Sequence, residues 1–221
     1  MSEPTTDPQA PPNRIRGLIL DYGEVLCHRP SAKQLEQIAA AAGLDLETFT
    51  GRYHNVRNDY DRGDLTPHDY WSKVVSDSNL LTDELLDTLR HWDVEMWSEL
   101  DPAMLEWLRD LRAAGFKTAL LSNMHTDMAL YARRVFDWLA PLDSVILSCE
   151  VRVIKPQCAI YERSLAALEL QPFQACFIDD RHANIQAARD LGLTALQFHS
   201  IESLRNDLAL LKIPVLPRES A

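Results

Sequence analysis

Three short apolar runs in this chain each end in residues able to do chemistry. Leu18-Ile19-Leu20 leads to Asp21, Leu120-Leu121 to Ser122-Asn123, and Phe177-Ile178 to Asp179-Asp180; Lys155 stands between the second and third, directly before Pro156. Singly, each has an ordinary explanation: aspartates form turns and Ser-Asn pairs cap helices. Together they supply a carboxylate nucleophile, hydroxyl and amide donors, a cation, and two more carboxylates suited to a hard metal ion. That set suits phosphoryl transfer. Attack of Asp21 on phosphorus would form an aspartyl-phosphate and split hydrolysis into two easier steps. A carboxylate approaching a dianion is repelled, so Mg²⁺ on oxygen ligands would be needed to screen both charges. Lys155 would bring charge to the phosphate, while Ser122, Asn123 and N–H groups at the adjacent helix start would bring hydrogen bonds.

These groups can meet only if the three runs are parallel strands whose carboxyl ends share one edge, where open α/β sheets bind ligands. The pattern meets that condition. Strands are predicted at residues 17–20, 116–121, 144–148, 175–178 and 194–197, with helices between most of them. Alternation of this kind implies a parallel sheet with crossover connections. The helix signals are specific: Asp101-Pro102 opens a helix carrying Met104, Leu105, Leu108 and Leu111, which stops at Gly115. Lys155-Pro156 is expected to open the helix carrying Ile160, Leu165 and Leu168, and Gly192 to close the one carrying Ile185, Ala188 and Leu191. Residues 29–97 contain no convincing strand. There Ser31 caps a helix to Ala42, a second runs from Leu46 to about Asp59, Thr66-Pro67 opens a third and Thr82 caps a fourth. The division expected is a core of residues 14–28 and 98–221, a helical insertion over 29–97, and a disordered tail over 1–13.

Composition narrows the function further. The chain has 221 residues, 46% of them hydrophobic, and a net charge of −11. That balance argues against non-specific nucleic-acid binding, which needs a basic face. It leaves room for an anionic small molecule, because a bound cation can reverse the potential inside one cleft. No stretch approaches the ~18 apolar residues of a membrane span, and the first residues have neither the basic nor the apolar part of a secretory signal. Cys27, Cys149, Cys158 and Cys176 lie in or beside apolar runs without metal-ligand spacing, and are expected as buried free thiols in a reducing cytoplasm.

The chain resembles the haloacid-dehalogenase superfamily of hydrolases. Its four motifs are matched in order by LILDYGEVL, LLSN, Lys155-Pro156 and FIDDRHANIQAARDLG, over about residues 15 to 200. The resemblance implies an α/β, Rossmann-like three-layer core with a parallel sheet, and places an all-helical cap where residues 29–97 lie. Within the family, an Asp-Asp fourth motif resembles the phosphatases, including sugar-phosphate phosphatases and the phosphatase domain of soluble epoxide hydrolases. It implies Asp21 as nucleophile and metal ligand, Gly23 giving its backbone carbonyl to Mg²⁺, Asp180 binding the ion directly and Asp179 through water. Ser122, Asn123 and Lys155 would hold the phosphate of a small phosphate ester, in a monomer or homodimer.

One position departs from the family pattern. Most phosphatases of this kind carry an aspartate two residues after the nucleophile, as acid for the leaving group; here that residue is Gly23. A subset resembling glucose-1-phosphate phosphatases shares the glycine. Glu24, His125, His182 and water stay open as proton donors. In the cap, the turn Tyr60-Asp61-Arg62-Gly63-Asp64 is expected to overhang the site, with Arg62 meeting a substrate anion and Asp61 or Asp64 binding hydroxyls. Trp71, Trp92 and Trp97 are expected as core anchors. Three alternatives remain: a metal-free 2-haloacid dehalogenase using Asp21, a non-catalytic phosphate-binding protein on the same fold, and a phosphomutase, which would normally want the aspartate missing at Gly23. The first is disfavoured because Asp179 and Asp180 would repel a carboxylate substrate.

Overall fold

A computed structural model describes residues 15–213 and Pro217. The expected tail over 1–13 lies outside the described residues. Five strands form one parallel sheet: β1 (Gly17–Leu20), β2 (Lys117–Ser122), β3 (Ser144–Leu147), β4 (Ala175–Asp179) and β5 (Thr194–Gln197), in the order β3-β2-β1-β4-β5. Each strand is a short apolar run because both sheet faces are covered. The alternation is visible in the packing. Leu18, Leu20, Leu120, Cys176 and Ile178 enter one core, while Ile19, Ala119, Leu121, Ala175 and Phe177 enter the other.

Two sets of helices cover those faces. On the first lie α6 (Pro102–Ala113), α7 (Thr126–Val135) and α11 (Ile201–Leu210), through Met104, Trp107, Met128, Ala132 and Leu204. On the second lie α9 (Cys158–Leu168) and α10 (His182–Asp190), through Ile160, Leu165, Ile185 and Ala188. A one-turn helix, α8 (Ser148–Val151), follows β3 directly. Helix α6 starts as its sequence requires, with the Asp101 carboxylate accepting from the Ala103 and Met104 N–H groups and proline in its first turn. It stops at Gly115, whose φ of +87° suits a residue without Cβ.

The segment between β1 and α6 is helical, with no strand among its described residues. It holds α1 (Ala32–Ala41), α2 (Leu46–Asn55), α3 (Arg57–Asp61), α4 (Pro67–Val74) and α5 (Asp83–Met96). These close around a core of their own, including Ile38, Phe49, Tyr70, Trp71, Val74 and Leu89. The result is a three-layer α/β core carrying an inserted helical cap.

Local expectations failed in four places. The helix predicted from Leu46 to about Asp59 breaks at Val56 (φ −112°, ψ 7°), and a second piece carries helix on to Asp61. Tyr60 and Asp61 are therefore helical, and the turn is confined to the residues after them. Lys155-Pro156 forms a turn, and α9 begins only at Cys158. Finally, Cys158 is exposed and Cys149 half-buried, so only Cys27 and Cys176 are buried; all four are free. Ile160, Tyr161, Leu165 and Leu168 form the buried stripe of α9, and Cys158 lies off it.

Candidate active site

Sheet order brings the three strand ends together. β1 lies between β2 and β4, with Leu20 level with Leu120 on one side and Ile178 on the other. Asp21 is the next residue, and its N–H still bonds to Ile178 O at 2.9 Å. Asp21, Ser122 and Asp179 are therefore adjacent at the carboxyl edge of the sheet, and Asp21, Ser122, Asn123, Lys155 and Asp180 line one cavity of about 160 Å³.

Lys155 is the charged centre of this edge. It is 3% exposed, and its Nζ lies 2.7 Å from both Asp21 Oδ1 and Asp179 Oδ2. Asn123 fixes the peptide that carries it: Asn123 Oδ1 accepts from Lys155 N at 2.8 Å, and Asn123 Nδ2 donates to Lys155 O at 3.0 Å. Ser122 lines the cavity, and its hydroxyl makes only a long contact to Asn123 O, 3.4 Å. Asp179 is fully buried and well supplied with donors. Its oxygens accept from Lys155 Nζ, from the Arg181 N–H at 2.8 Å, and from Asn184 Nδ2 at 2.9 and 3.0 Å.

One ammonium faces three carboxylates here. Oxygens of Asp21, Asp179 and Asp180 all lie within 4.8 Å of one another. The titration behaviour reflects that imbalance. Burial pushes Asp21 up to about 8, against Lys155 and with help from the charges of Asp179 and Asp180. Burial, then Asp179 and Glu24, push Asp180 up to about 6. Asp179 resists its burial and is held below the usual carboxylate range by Lys155 and its hydrogen bonds. Lys155 resists its burial in the same way, kept above its ordinary value by Asp179 and Asp21. Excess negative charge on hard oxygen donors suits a divalent cation such as Mg²⁺. Asp21 and Asp180 have oxygen available for direct ligation, whereas both Asp179 oxygens are already engaged.

The turn after Asp21 is tight. Gly23 forms a bridge with Cys27, and a Cβ on Gly23 would meet only Trp97 Cζ3, at 3.7 Å. Glu24 takes a left-handed conformation (φ 57°) and pairs with Arg29 at 2.8 Å. Tyr22 donates its hydroxyl proton to Trp97 O at 2.5 Å, tying the turn to the cap.

The cap supplies the roof. Tyr53, His54, Arg57, Asp61 and Trp97 line the cavity from above, with Met124, His125 and Met128 at its side. Arg57 is held by two carboxylates, Asp61 at 2.9 Å and Asp93 at 3.2 Å, and donates to Tyr53 Oη as well. Tyr53 Oη donates to Asp93 Oδ1 at 2.5 Å. His125 is buried, stacked on Tyr60, and held below the ordinary histidine range chiefly by its burial, so its ring is neutral at pH 7. Two cap-to-core ties flank this roof. Arg90 grips Asp127 at 2.8 and 2.9 Å, and Ser148 Oγ donates to Asp61 O at 2.5 Å.

The expected cap residues fall elsewhere. Arg62 pairs with Asp59 (2.7 Å) and Asp64 (2.5 Å), and Asp64 pairs again with Arg152 of the core (2.7 Å). Neither Arg62 nor Asp64 lines the cavity; they latch the turn to the segment after β3. Asp61 does line it. Of the tryptophans, Trp71 is a core anchor, whereas Trp97 faces the cavity beside Gly23. Of the open proton donors, His182 is exposed and outside the lining, Glu24 lines the cavity but is paired, and His125 lines it unpaired by any hydrogen bond. Residues that sequence reasoning missed are Tyr53, His54 and Arg57. For Tyr53 and Arg57 the signal was the four-residue spacing Tyr53, Arg57, Asp61, a polar stripe at helical spacing that carries across the break at Val56; His54 gave none.

Comparison with known proteins agrees with this architecture. Residues 15–192 match the family of haloacid dehalogenase-like hydrolases, and the chain belongs to that family of enzymes. It is 30% identical over 109 residues to bifunctional epoxide hydrolase 2 of Mus musculus, a match covering 48% of this chain and 20% of that protein. It is 30% identical over 100 residues to (S)-2-haloacid dehalogenase 1 of Pseudomonas sp. (strain CBS-3), covering 45% and 44%. The chain thus spans less than half the length of these relatives. The fold matches that of a HAD family enzyme from Bacteroides thetaiotaomicron, solved as a magnesium complex, with a TM-score of 0.69 at 18% identity over 83% of this chain and 93% of that one. Among the described residues, no helix is long and apolar enough to cross a membrane.

Proposed function

We propose that this haloacid dehalogenase-like hydrolase is a Mg²⁺-dependent phosphatase that hydrolyses a small phosphorylated metabolite through an aspartyl-phosphate on Asp21. The observation that carries the reading is the cluster of three carboxylates, two of them buried on Lys155 and the third, Asp180, half-buried beside them. Its charge is unbalanced, and a divalent cation would balance it. Asp21, the Gly23 carbonyl and Asp180 would hold the ion, with Asp179 acting through water. When bound, the ion would screen the meeting of dianion and carboxylate and polarise the phosphoryl oxygens.

The chain's own residues account for the rest. Lys155, fixed by Asn123, aims Asp21 and favours its ionised form against burial, and a bound cation would complete that ionisation. Lys155 is also close enough to pair with an equatorial phosphate oxygen. The Ser122 hydroxyl, with only a weak partner, is free to donate to a second oxygen. Asp21 attacks phosphorus, the bond to the leaving alcohol breaks, and the alkoxide takes a proton from a water molecule, since Gly23 supplies no acid. Water then attacks the aspartyl-phosphate, releasing phosphate and restoring Asp21. The helical cap, proposed to span residues 29–97 against a core of 14–28 and 98–221, closes the cavity against bulk water.

The likeness to a 2-haloacid dehalogenase supports a second reading, in which Asp21 displaces halide without a metal. The roof argues against it. A departing halide needs an uncompensated cation, and Arg57 is already held by Asp61 and Asp93. A carboxylate substrate would also meet Asp180 unscreened.

A panel of phosphate esters assayed with Mg²⁺ and with chelator tests the choice. Hydrolysis that needs Mg²⁺ and disappears in Asp21→Asn is the expected result. Chloride release from a 2-haloacid, insensitive to chelator, would overturn it.

A further inference from the structure

An aromatic residue lines the cavity beside the place where the acid is missing. Trp97, just past the end of α5, packs against both the core cluster and the cap cluster. Of the two tyrosines and one tryptophan in the lining, Tyr22 and Tyr53 are each 3% exposed, whereas Trp97 is only half-buried and keeps accessible surface. Two hydrogen bonds fix it. Its carbonyl accepts from Tyr22 Oη at 2.5 Å, and its Nε1 donates to Tyr53 Oη at 3.3 Å. The indole nitrogen therefore needs no partner from a ligand, and what the side chain has left to offer is its ring. That ring leans on Gly23, with Cζ3 3.7 Å from where a Cβ would stand. Gly23 is two residues past Asp21, the position from which an acid would serve the leaving group.

We infer that the leaving group is aromatic: the substrate is a small aryl phosphate, a phenol esterified to phosphate, whose ring packs on Trp97. The inference rests on the phosphatase reading above. Two independent features converge on it. The first is the fixed ring, since an aromatic partner gains from offset or edge contact with indole beyond the area it buries. The second is the missing acid. A phenol ionises near pH 10, roughly six units more readily than water, which simple alcohols resemble. Asp21 attacks phosphorus, the bond to the aryl oxygen breaks, and its electron pair departs with the phenolate, which water protonates afterwards. An alkoxide leaving the same site has no such stability. The charged groups of the roof give a sugar little to bind, because Arg57 and Asp61 pair with each other and Arg57 pairs again with Asp93. The cavity, about 160 Å³ in all, keeps the leaving group to a single ring.

Three esters assayed with Mg²⁺ separate the two features. Benzyl and cyclohexylmethyl phosphate are alike in size and in the acidity of their alcohols, so their ratio reads the ring. Wild type is expected to favour the benzyl ester in kcat/KM by roughly 2- to 12-fold, the range for an aromatic pair. Trp97→Leu, still apolar, should bring that ratio to within about 1.5-fold of unity, and Trp97→Phe should keep most of it. Trp97→Met answers the same question if the leucine variant does not fold. Phenyl phosphate reads the leaving group, and should exceed the benzyl ester in kcat by at least roughly 10²-fold, the least that a general acid would supply. A merely structural Trp97 would lower turnover of both six-membered-ring esters and keep their ratio, which would overturn the inference. So would a wild type that hydrolyses the esters without preferring the aromatic ones, or that prefers glycerol 1-phosphate to phenyl phosphate; the phosphatase reading would then stand. If no ester is hydrolysed, both readings fall.

Discussion

Replacing Asp180 with asparagine should make the metal-free protein more stable and the metal-loaded protein less so. Burial and the neighbouring Asp179 and Glu24 push the Asp180 carboxyl from 3.8 to about 6. A difference of 2.2 pH units, at about 1.4 kcal/mol each, sets a ceiling of about 3 kcal/mol on the strain of ionising it in the fold. Asp180 is only half-buried, so screening by water reduces this to roughly 1–2 kcal/mol. The sign follows from linkage. The folded-state value lies above the unfolded one, so Asp180 favours folding fully below about pH 4 and loses that contribution as pH rises through about 6. At pH 7.5 in chelator, Asp180→Asn should therefore melt roughly 2–8 °C above wild type, given about 2–4 °C per kcal/mol for a chain of this size. At pH 4.5 the two should nearly coincide. Mg²⁺ at a hundred times its Kd should then stabilise wild type by about 2.7 kcal/mol and the variant by far less. Thermal melts at both pH values, with chelator and with Mg²⁺, read all three outcomes. A variant that melts below wild type in chelator at pH 7.5, or one that Mg²⁺ stabilises as much as wild type, would refute the reasoning.

Three other substitutions probe separate links. Lys155→Met leaves Asp21 and Asp179 buried without their shared cation, and should lower stability by about 3–5 kcal/mol at pH 7.5, measured by denaturant unfolding. Much of that loss should return at pH 5, where the orphaned carboxylates take up protons; equal losses at both pH values would show that packing, not charge, was removed. Gly23→Asp has room, since its Cβ would meet only Trp97 Cζ3 at 3.7 Å. By restoring an acid to the leaving-group side, it should raise kcat on an alkyl phosphate by roughly 10²-fold and do far less for p-nitrophenyl phosphate, whose leaving group needs no proton; equal gains on both would argue against it. Arg90→Ala cuts the bidentate tie to Asp127 between cap and core. Melting should shift by no more than about 1 kcal/mol, while kcat/KM should fall roughly fivefold or more through poorer closure; unchanged kinetics would remove the tie from the mechanism.

The floor of the site was legible in the sequence and most of the roof was not, for a physical reason. Asp21, Ser122 and Asp179 each follow an apolar run directly, and a parallel sheet puts all such run-ends on one edge. Their meeting therefore depends only on strand order. The roof has no comparable rule. Tyr53, Arg57 and Asp61 sit at helical spacing on a polar stripe, but that pattern also describes any solvated helix face. What turns the stripe inward is contact with residues far away in the chain: Asp93 from α5 pairs with Arg57, and Ser148 from α8 holds the backbone at Asp61. Arg62 and Asp64 show the converse. Their charges, next to a glycine in a turn, looked like substrate contacts, yet a shift of one to three residues beyond Asp61 carries them past the cavity wall and into ion pairs with Asp59 and Arg152. His125 combines both cases. It is three residues from Ser122, so its proximity to the site could be read, but its burial depends on Tyr60 and Asp93 arriving from the cap. A carboxylate at residue 23 would have acted from the floor. With glycine there, the space above Asp21 is lined by the roof, the part of the site that only the docking of cap on core creates.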